Sequence, residues 1–474
     1  LARRAAGLPL AGDCTYDRAR AAHRAPSASV APAAPSGAAS ADLAPTAAPA
    51  LQANPRVGDL VRVNASTLSA CDTTPAGFRT GRVAAVTDRL VILADTANPR
   101  DGFTDAEYRQ FALAFDTLAH PVAVANFGDP SDVDKNARAV AFFSRAVNEE
   151  TPRGADYVVG GFFWERDLFP NNVRTRDNCP GSNYAEFFYM LVPDPRGTIN
   201  GNVRSKAYVD EVTVGTLAHE YQHLINAARR LYVTKADAFE EVWLGEGLSH
   251  IAEELVFFRA AGLAPRARLT ASSLAASPAV DRAFTLYGSD NLRRVLTYLR
   301  DPENRSPYGL DDDLETRGAT WQFLRYADDR LSASGGVNGA PLWKKFVDAN
   351  LVGRRNLQAA LGGSTPLDDW FQDWAVANFA DAQAPALAGL GSRFSFASWS
   401  FRSVLGSYED TVNRPYALAT RTLANDAPTT LRLNGGSAAY LRYAVQAGRQ
   451  ATVRTRTTGT VTGGNLRLAV VRAR

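Results

Sequence analysis

The sequence predicts an α+β protein: a small mixed sheet and one long helix, then a mostly helical stretch, then a C-terminal antiparallel β domain. Three observations predict it. Short apolar runs bounded by turn residues recur between positions 57 and 192. Apolar residues then recur at helical spacing between positions 210 and 378. After position 400 the pattern returns to period two. A chain of 474 residues is long enough for a large core and more than one domain.

The elements follow in order. Residues 1–54 hold early arginines, a short apolar Leu8–Ala11 and an Ala/Pro/Ser/Thr-rich stretch. They are read as the remnant of a secretion signal and a disordered linker, because such a stretch buries too little apolar surface to offset its ordering entropy. Residues 55–100 alternate in short runs (Leu60–Val63, Gly81–Val86, Arg89–Leu93), which predicts a small β unit. Residues 101–400 form the central domain. Its elements are a helix over Thr104–Ala125, strands at Ala139–Phe143, Tyr157–Phe163 and Tyr184–Val192, and a strong helix over Asp210–Arg230. Helices at Glu241–Arg259, Asn291–Arg300, Thr316–Ala327, Pro341–Asn350 and Leu367–Asn378 follow. Residues 401–474 alternate at Thr430–Leu433, Tyr440–Val445, Ala451–Arg456 and Leu466–Val471, which predicts a separate antiparallel β domain.

Composition narrows the function. There are 52 basic and 49 acidic residues, a net charge of +3, and no Lys/Arg-rich run. That excludes a strongly basic nucleic-acid or membrane patch. No run of 18 apolar residues spans a bilayer. Three cysteines (Cys14, Cys71, Cys179) are too few for a disulfide scaffold. One pair, Cys71–Cys179, suits an oxidising compartment, and three unpaired thiols are the alternative. Asp132–Asn136 looks like a calcium loop but lacks the glycine and the closing glutamate, so it is read as a polar turn. Calcium is therefore a second ion without support in the sequence.

The chemistry concentrates in His219-Glu220-Tyr221-Gln222-His223, an H-E-x-x-H pattern. Residues four apart on a helix share a face, so His219 and His223 can point at one ion. Zinc accepts imidazole nitrogens and a carboxylate and keeps a fourth position for water. Glu220 stands beside the ion, placed to act as general base toward a zinc-activated water. A histidine ligand six residues after His223, with glycine midway, is closed because positions 226 and 229 are Asn and Arg. The best remaining candidate for the third ligand is Glu246; Glu240, Glu241, Glu253 and His250 compete, and spacing alone does not choose among them. His250 either steadies a ligand carboxylate or is an ordinary core histidine. Glu253 and Glu254 are read as solvated.

The segment Trp243-Leu244-Gly245-Glu246-Gly247-Leu248-Ser249 resembles the W-L-x-E-G segment of gluzincin metallopeptidases such as the aminopeptidase N family. A closer resemblance is to the hyicolysin-type bacterial neutral zinc peptidases, which show H-E-[YF]-Q-H followed by W-L-x-E-G-L-S-x-x-A-E-E; here the second segment is Trp243–Glu254. Val158–Trp164, Cys179–Asn183 and Arg317–Trp321 also look familial. The resemblance covers residues 105–400 and is most specific at the zinc motif. It implies a zincin-like catalytic domain, one catalytic Zn²⁺ and Glu246 as a ligand. The G-x-M-E-N motif of aminopeptidase relatives is absent, since the sole methionine, Met190, is followed by Leu191. This points to an endopeptidase.

A donor to the tetrahedral oxyanion is also expected. Tyr308 is the candidate, and His250 the runner-up. The resulting expectation is a secreted, periplasmic or cell-surface zinc endopeptidase acting as a monomer on proteins or peptides. The strand Tyr184–Val192 is expected at the sheet edge, pairing with substrate. Two rivals are a catalytically decayed binding or adhesion protein on the same scaffold, and a zinc hydrolase of a non-peptide amide or epoxide.

Overall fold

The computed structural model describes residues 51, 53–68, 72–171, 179–309, 313–333, 341–362, 364–381, 391–406, 416–456 and 466–472. The expected signal remnant and linker, apart from their last few residues, lie outside them.

Six strands form one mixed sheet: β1 (Leu60–Asn64), β2 (Phe78–Val86), β3 (Leu90–Asp95), β4 (Ala139–Phe143), β5 (Gly161–Phe163) and β6 (Phe187–Met190). Their order is β1-β2-β3-β4-β6-β5. The pairs β3–β4 and β4–β6 are parallel, and the others are antiparallel. The parallel centre is covered on both faces. In β3, Leu90 and Ile92 join one hydrophobic cluster, while Val91 and Leu93 join another. That is why this strand reads as a continuous apolar run.

Two expectations change here. The β unit expected at 55–100 is not separate, because β3 pairs with β4 and β1–β3 form half of the same sheet. The strand expected at Tyr184–Val192 is not an edge: β6 lies between β4 and β5, and β5 closes the sheet. The strand expected at Tyr157–Phe163 contains β5, and it is this strand that takes the edge, because non-local pairing sets strand order.

The helices are α1 (Asp105–Ala114), α2 (His120–Phe127), α3 (Arg145–Glu149), α4 (Lys206–Ala228), α5 (Val242–Ala260), α6 (Ala271–Leu274), α7 (Pro278–Tyr287), α8 (Ser289–Arg300), α9 (Leu314–Ala333), α10 (Leu342–Val347), α11 (Gly353–Leu361), α12 (Leu367–Ala380) and α13 (Phe401–Gly406). The expected helix at 104–125 is α1 and α2 joined by a wide turn over Phe115–Ala119. Pro121 has no N–H for the ladder, so the turn loosens just before it. A Thr104–Glu107 capping box starts α1.

Helix α4 starts at Ser205, whose side chain accepts the Tyr208 N–H. Its apolar stripe (Leu217, Ala218, Tyr221, Leu224, Ile225) is buried. Tyr221 lies edge-on to Phe115, with ring centroids 4.8 Å apart. The polar face of α4 is buried too, with His219, Gln222 and His223 against α5. Helices α8 and α9 meet at Gly318. A Cβ there would stand 2.3 Å from the backbone carbon of Arg294, with no flexible atom to yield. Gly318→Ala is expected to destabilise the fold by about 1–3 kcal/mol through overpacking. Urea unfolding measures it, and a midpoint equal to wild type would refute the close approach.

The C-terminal β domain expected at 401–474 differs from what is described. Its first residues form α13, whose Phe401, Val404 and Leu405 are buried in the main core. Among the described residues beyond, the regular pairing is a two-residue parallel ladder, β7 (Arg421–Thr422) with β8 (Leu441–Arg442). Leu466, Leu468 and Val470 are exposed. A period-two pattern supplies an apolar face, but pairing is stable only when something covers that face.

Candidate metal centre

The site is built on facing helices. His219 and His223 lie one turn apart on α4, with ring centroids 4.9 Å apart. Glu246 enters from the second turn of α5 and is fully buried. The His219 and His223 Nε2 atoms are 3.2 Å apart. His219 Nε2 is 3.2 Å from Glu246 Oε2, and His223 Nε2 is 3.2 Å from Glu246 Oε1. Donors at the usual zinc–nitrogen length of about 2.05 Å on a tetrahedron stand about 3.3 Å from one another. The donor set, two imidazole nitrogens and a carboxylate at that spacing, fits zinc. Calcium, which prefers six or more oxygens, suits it poorly. Burial alone would raise the Glu246 carboxyl, but the charges and hydrogen bonds of His223 and His219 hold it well below the usual carboxylate range. It is therefore ionised, as a cation ligand must be.

Glu253 completes the arrangement. Its Oε1 is 2.8 Å from His219 Nδ1 and its Oε2 is 3.2 Å from His250 Nδ1. A proton on His219 Nδ1 donated to Glu253 leaves the Nε2 lone pair facing Glu246 and His223. Glu253 lies seven residues after Glu246, two turns along the same helix face, with His250 between them. Burial would lower His219, yet Glu246 and Glu253 push it up to about 10, so a cation at Nε2 takes the place of a proton there. Burial, then the Arg294 charge, bring His250 down to about 4, so this ring is neutral. Arg294 lies 3.4 Å from His250 Nδ1.

The candidates separate clearly. His219, His223 and Glu246 come together, and Glu220 lines the same cleft as His219. His250 touches Glu253, and its ring centre lies 5.0 Å from that of His219. Tyr308 is placed elsewhere: it packs against Trp243 and Phe371, with the Arg354 guanidinium 4.6 Å from its ring centre. Among the described residues no contact joins it to the histidines. The competing glutamates also have other partners. Glu240 pairs with Arg230 at 2.5 Å, and Glu241 accepts the Trp243 Nε1–H at 2.7 Å.

Glu253 and Glu254 are not solvated. The Glu253 side chain is only 14% exposed. Glu254 is buried and bonded to Arg325 and Trp399. The crossing of α5 with α9 covers Glu254, and α4 and α8 flank Glu253, none of it readable from periodicity.

The cleft is lined by Gly160, Gly161, Thr216, His219, Glu220, Glu253, Tyr287, Arg294 and Arg317, among others. Sequence reasoning missed Tyr287, Arg294 and Arg317 as members of the site. Arg317 NH1 lies 3.2 Å from Glu246 Oε2 and is almost fully buried. Its only sequence signal was the Arg317–Trp321 segment. Burial raises the Tyr287 phenol above its ordinary value, so it is a protonated donor.

Comparison with known proteins adds one relative. Over 152 residues, 32% of this chain, the sequence is 32% identical to "Neutral metalloprotease ShpI" of Staphylococcus hyicus. The match covers 31% of that protein's length. No family model matches the chain. Among the described residues, no helix is long and apolar enough to cross a membrane.

Proposed function

We propose that this chain is a secreted, gluzincin-type zinc endopeptidase. The observation that carries the reading is the triangle of His219, His223 and Glu246 donors at 3.2 Å, with Glu220 on the same helix and cleft. The similarity to a neutral metalloprotease supports the same class. A zinc ion held by these three residues supplies a Lewis acid that polarises a carbonyl and acidifies water.

The rest is done by the chain. Glu220 takes a proton from the attacking water and delivers it to the leaving amine. Glu253 holds the His219 tautomer, and Arg317 orients Glu246. Strand β5, the end strand of the sheet among the described residues, is where the peptide pairs, in place of the strand expected from sequence. Gly161 lets that edge lie against α4: a Cβ there would be 2.7 Å from Thr216 Cγ2 and 2.8 Å from the Tyr189 carbonyl. A peptide added to β5 runs past His219 and Glu220. Cys179 is disulfide-bonded, which supports an oxidising compartment. Cys14 and Cys71 lie outside the described residues.

The test is casein hydrolysis with metal analysis. Removal of zinc by 1,10-phenanthroline should abolish cleavage, and added zinc should restore it. Chelator-resistant cleavage would refute the reading. Tyr287, across the cleft, takes the donor role first given to Tyr308. Tyr287→Phe is expected to lower kcat about 10²-fold with KM and zinc content unchanged. Tyr308→Phe should leave kcat at the wild-type value. The reverse result would return the role to Tyr308.

A further inference from the structure

A second group of oxygen ligands lies outside the cleft. The loop between α2 and β4 carries Asp132 and Asp134, and Glu186 immediately precedes β6. Their carboxylate oxygens lie within 4.8 Å of one another. Glu186 is only 1% exposed. Its Oε1 accepts from Ser131 Oγ at 2.6 Å and from the Val133 N–H at 2.9 Å. Its Oε2 is buried and has no hydrogen-bond partner among the described residues.

A buried carboxylate oxygen with no donor is costly unless a cation or a proton satisfies it. Among the described residues no Lys or Arg forms an ion pair with any of the three acids. Arg138, the nearest arginine in the loop, donates instead to the Thr87 and Asn136 carbonyls. Asp132 Oδ1 accepts the Ala137 N–H, and Asp134 Oδ1 accepts the Asn136 N–H. These bonds fix the two acids on the loop. Burial, then the charge of Glu186, raise Asp134 to about 7, the behaviour of like charges crowded without a counter-ion.

We propose that Asp132, Asp134 and Glu186 bind one calcium ion, which clamps the 131–136 loop to the central sheet. The donors are all carboxylate oxygens, the hard set that calcium prefers, and no nitrogen or sulfur joins them to favour zinc. The loop lacks the closing glutamate of a sequential calcium loop, and the fold brings Glu186 in its place. The Val140 N–H donates to the Glu186 carbonyl, so the clamp joins the loop to β4 directly. The ion is structural and distinct from the catalytic one.

The experiment uses the zinc-loaded full chain, freed of other metals on a chelating resin and reloaded with one zinc. Calcium chloride is then titrated by calorimetry and thermal unfolding, with magnesium chloride as control. One calcium should bind per chain and raise Tm by roughly 5 °C at saturation. Asp134→Asn, on the less buried loop, and the isosteric Glu186→Gln should each weaken calcium binding at least tenfold. Zinc content and the initial rate at low temperature should match wild type in both. No calcium binding to wild type, equal binding by both variants, or a preference for magnesium would overturn the proposal. Because the readout is calcium binding and Tm, it stands or falls separately from the peptidase reading.

Discussion

Glu220→Gln is expected to lower kcat for peptide hydrolysis by about 10³-fold, about 4 kcal/mol in the barrier, while leaving one zinc per chain. The substitution keeps size and shape, so the buried position, only 1% exposed, is not disturbed by volume. What disappears is proton affinity, since a carboxamide cannot take a proton from the attacking water. His219, His223 and Glu246 are untouched, so the donor triangle persists. Glu246→Ala supplies the contrast: it should lose zinc and activity together. Initial rates and metal analysis of both variants decide the matter. Wild-type turnover in Glu220→Gln would remove the residue from the reaction.

The largest expected effect on stability lies one residue beyond Glu253. Glu254 accepts Arg325 Nε at 3.0 Å on Oε1 and at 2.9 Å on Oε2, Arg325 NH2 at 2.6 Å on Oε2, and Trp399 Nε1 at 2.6 Å on Oε1. Arg325 is 0% exposed. Glu254→Leu therefore strands a buried guanidinium, which retains only Asp328 at 2.8 Å among its close carboxylates. The expected loss is about 3 kcal/mol, at the lower end for a broken buried pair because Asp328 remains. Removing both partners, Glu254→Leu with Arg325→Met, should recover most of it. Urea unfolding of the two single variants and the double variant gives the cycle. A single-variant stability equal to wild type would show that the pair contributes nothing.

The site and its scaffold were legible to different degrees. The H-E-x-x-H residues were readable because their spacing is local: one helical turn sets which side chains share a face. Glu246 was readable only through a resemblance, because a 22-residue gap carries no geometry. The i, i+4, i+7 series Glu246–His250–Glu253 was present in the sequence, yet Glu253 looked solvated. Amphipathic reasoning assumes one wet face per helix, and α5 is buried nearly all round. The edge strand was misplaced for a related reason. Strand order depends on non-local pairing, which the apolar runs at Tyr157–Phe163 and Tyr184–Val192 do not encode. Tyr308 was the donor candidate in the sequence, and the fold places it against Trp243 and Phe371.

By itself, then, the sequence determined the local facts: the helical face bearing His219, Glu220 and His223, the apolar strands, and the near-neutral charge that argues against a basic patch. These follow from residue period and residue chemistry. Only the tertiary structure decided what stands opposite what. It brought Arg317 to Glu246, Glu253 to His219, Tyr287 to the cleft and Glu186 to the Asp132–Asp134 loop. The physical reason is that helix crossings and strand order arise from packing between segments far apart in the chain, and no periodicity within one segment encodes its partner.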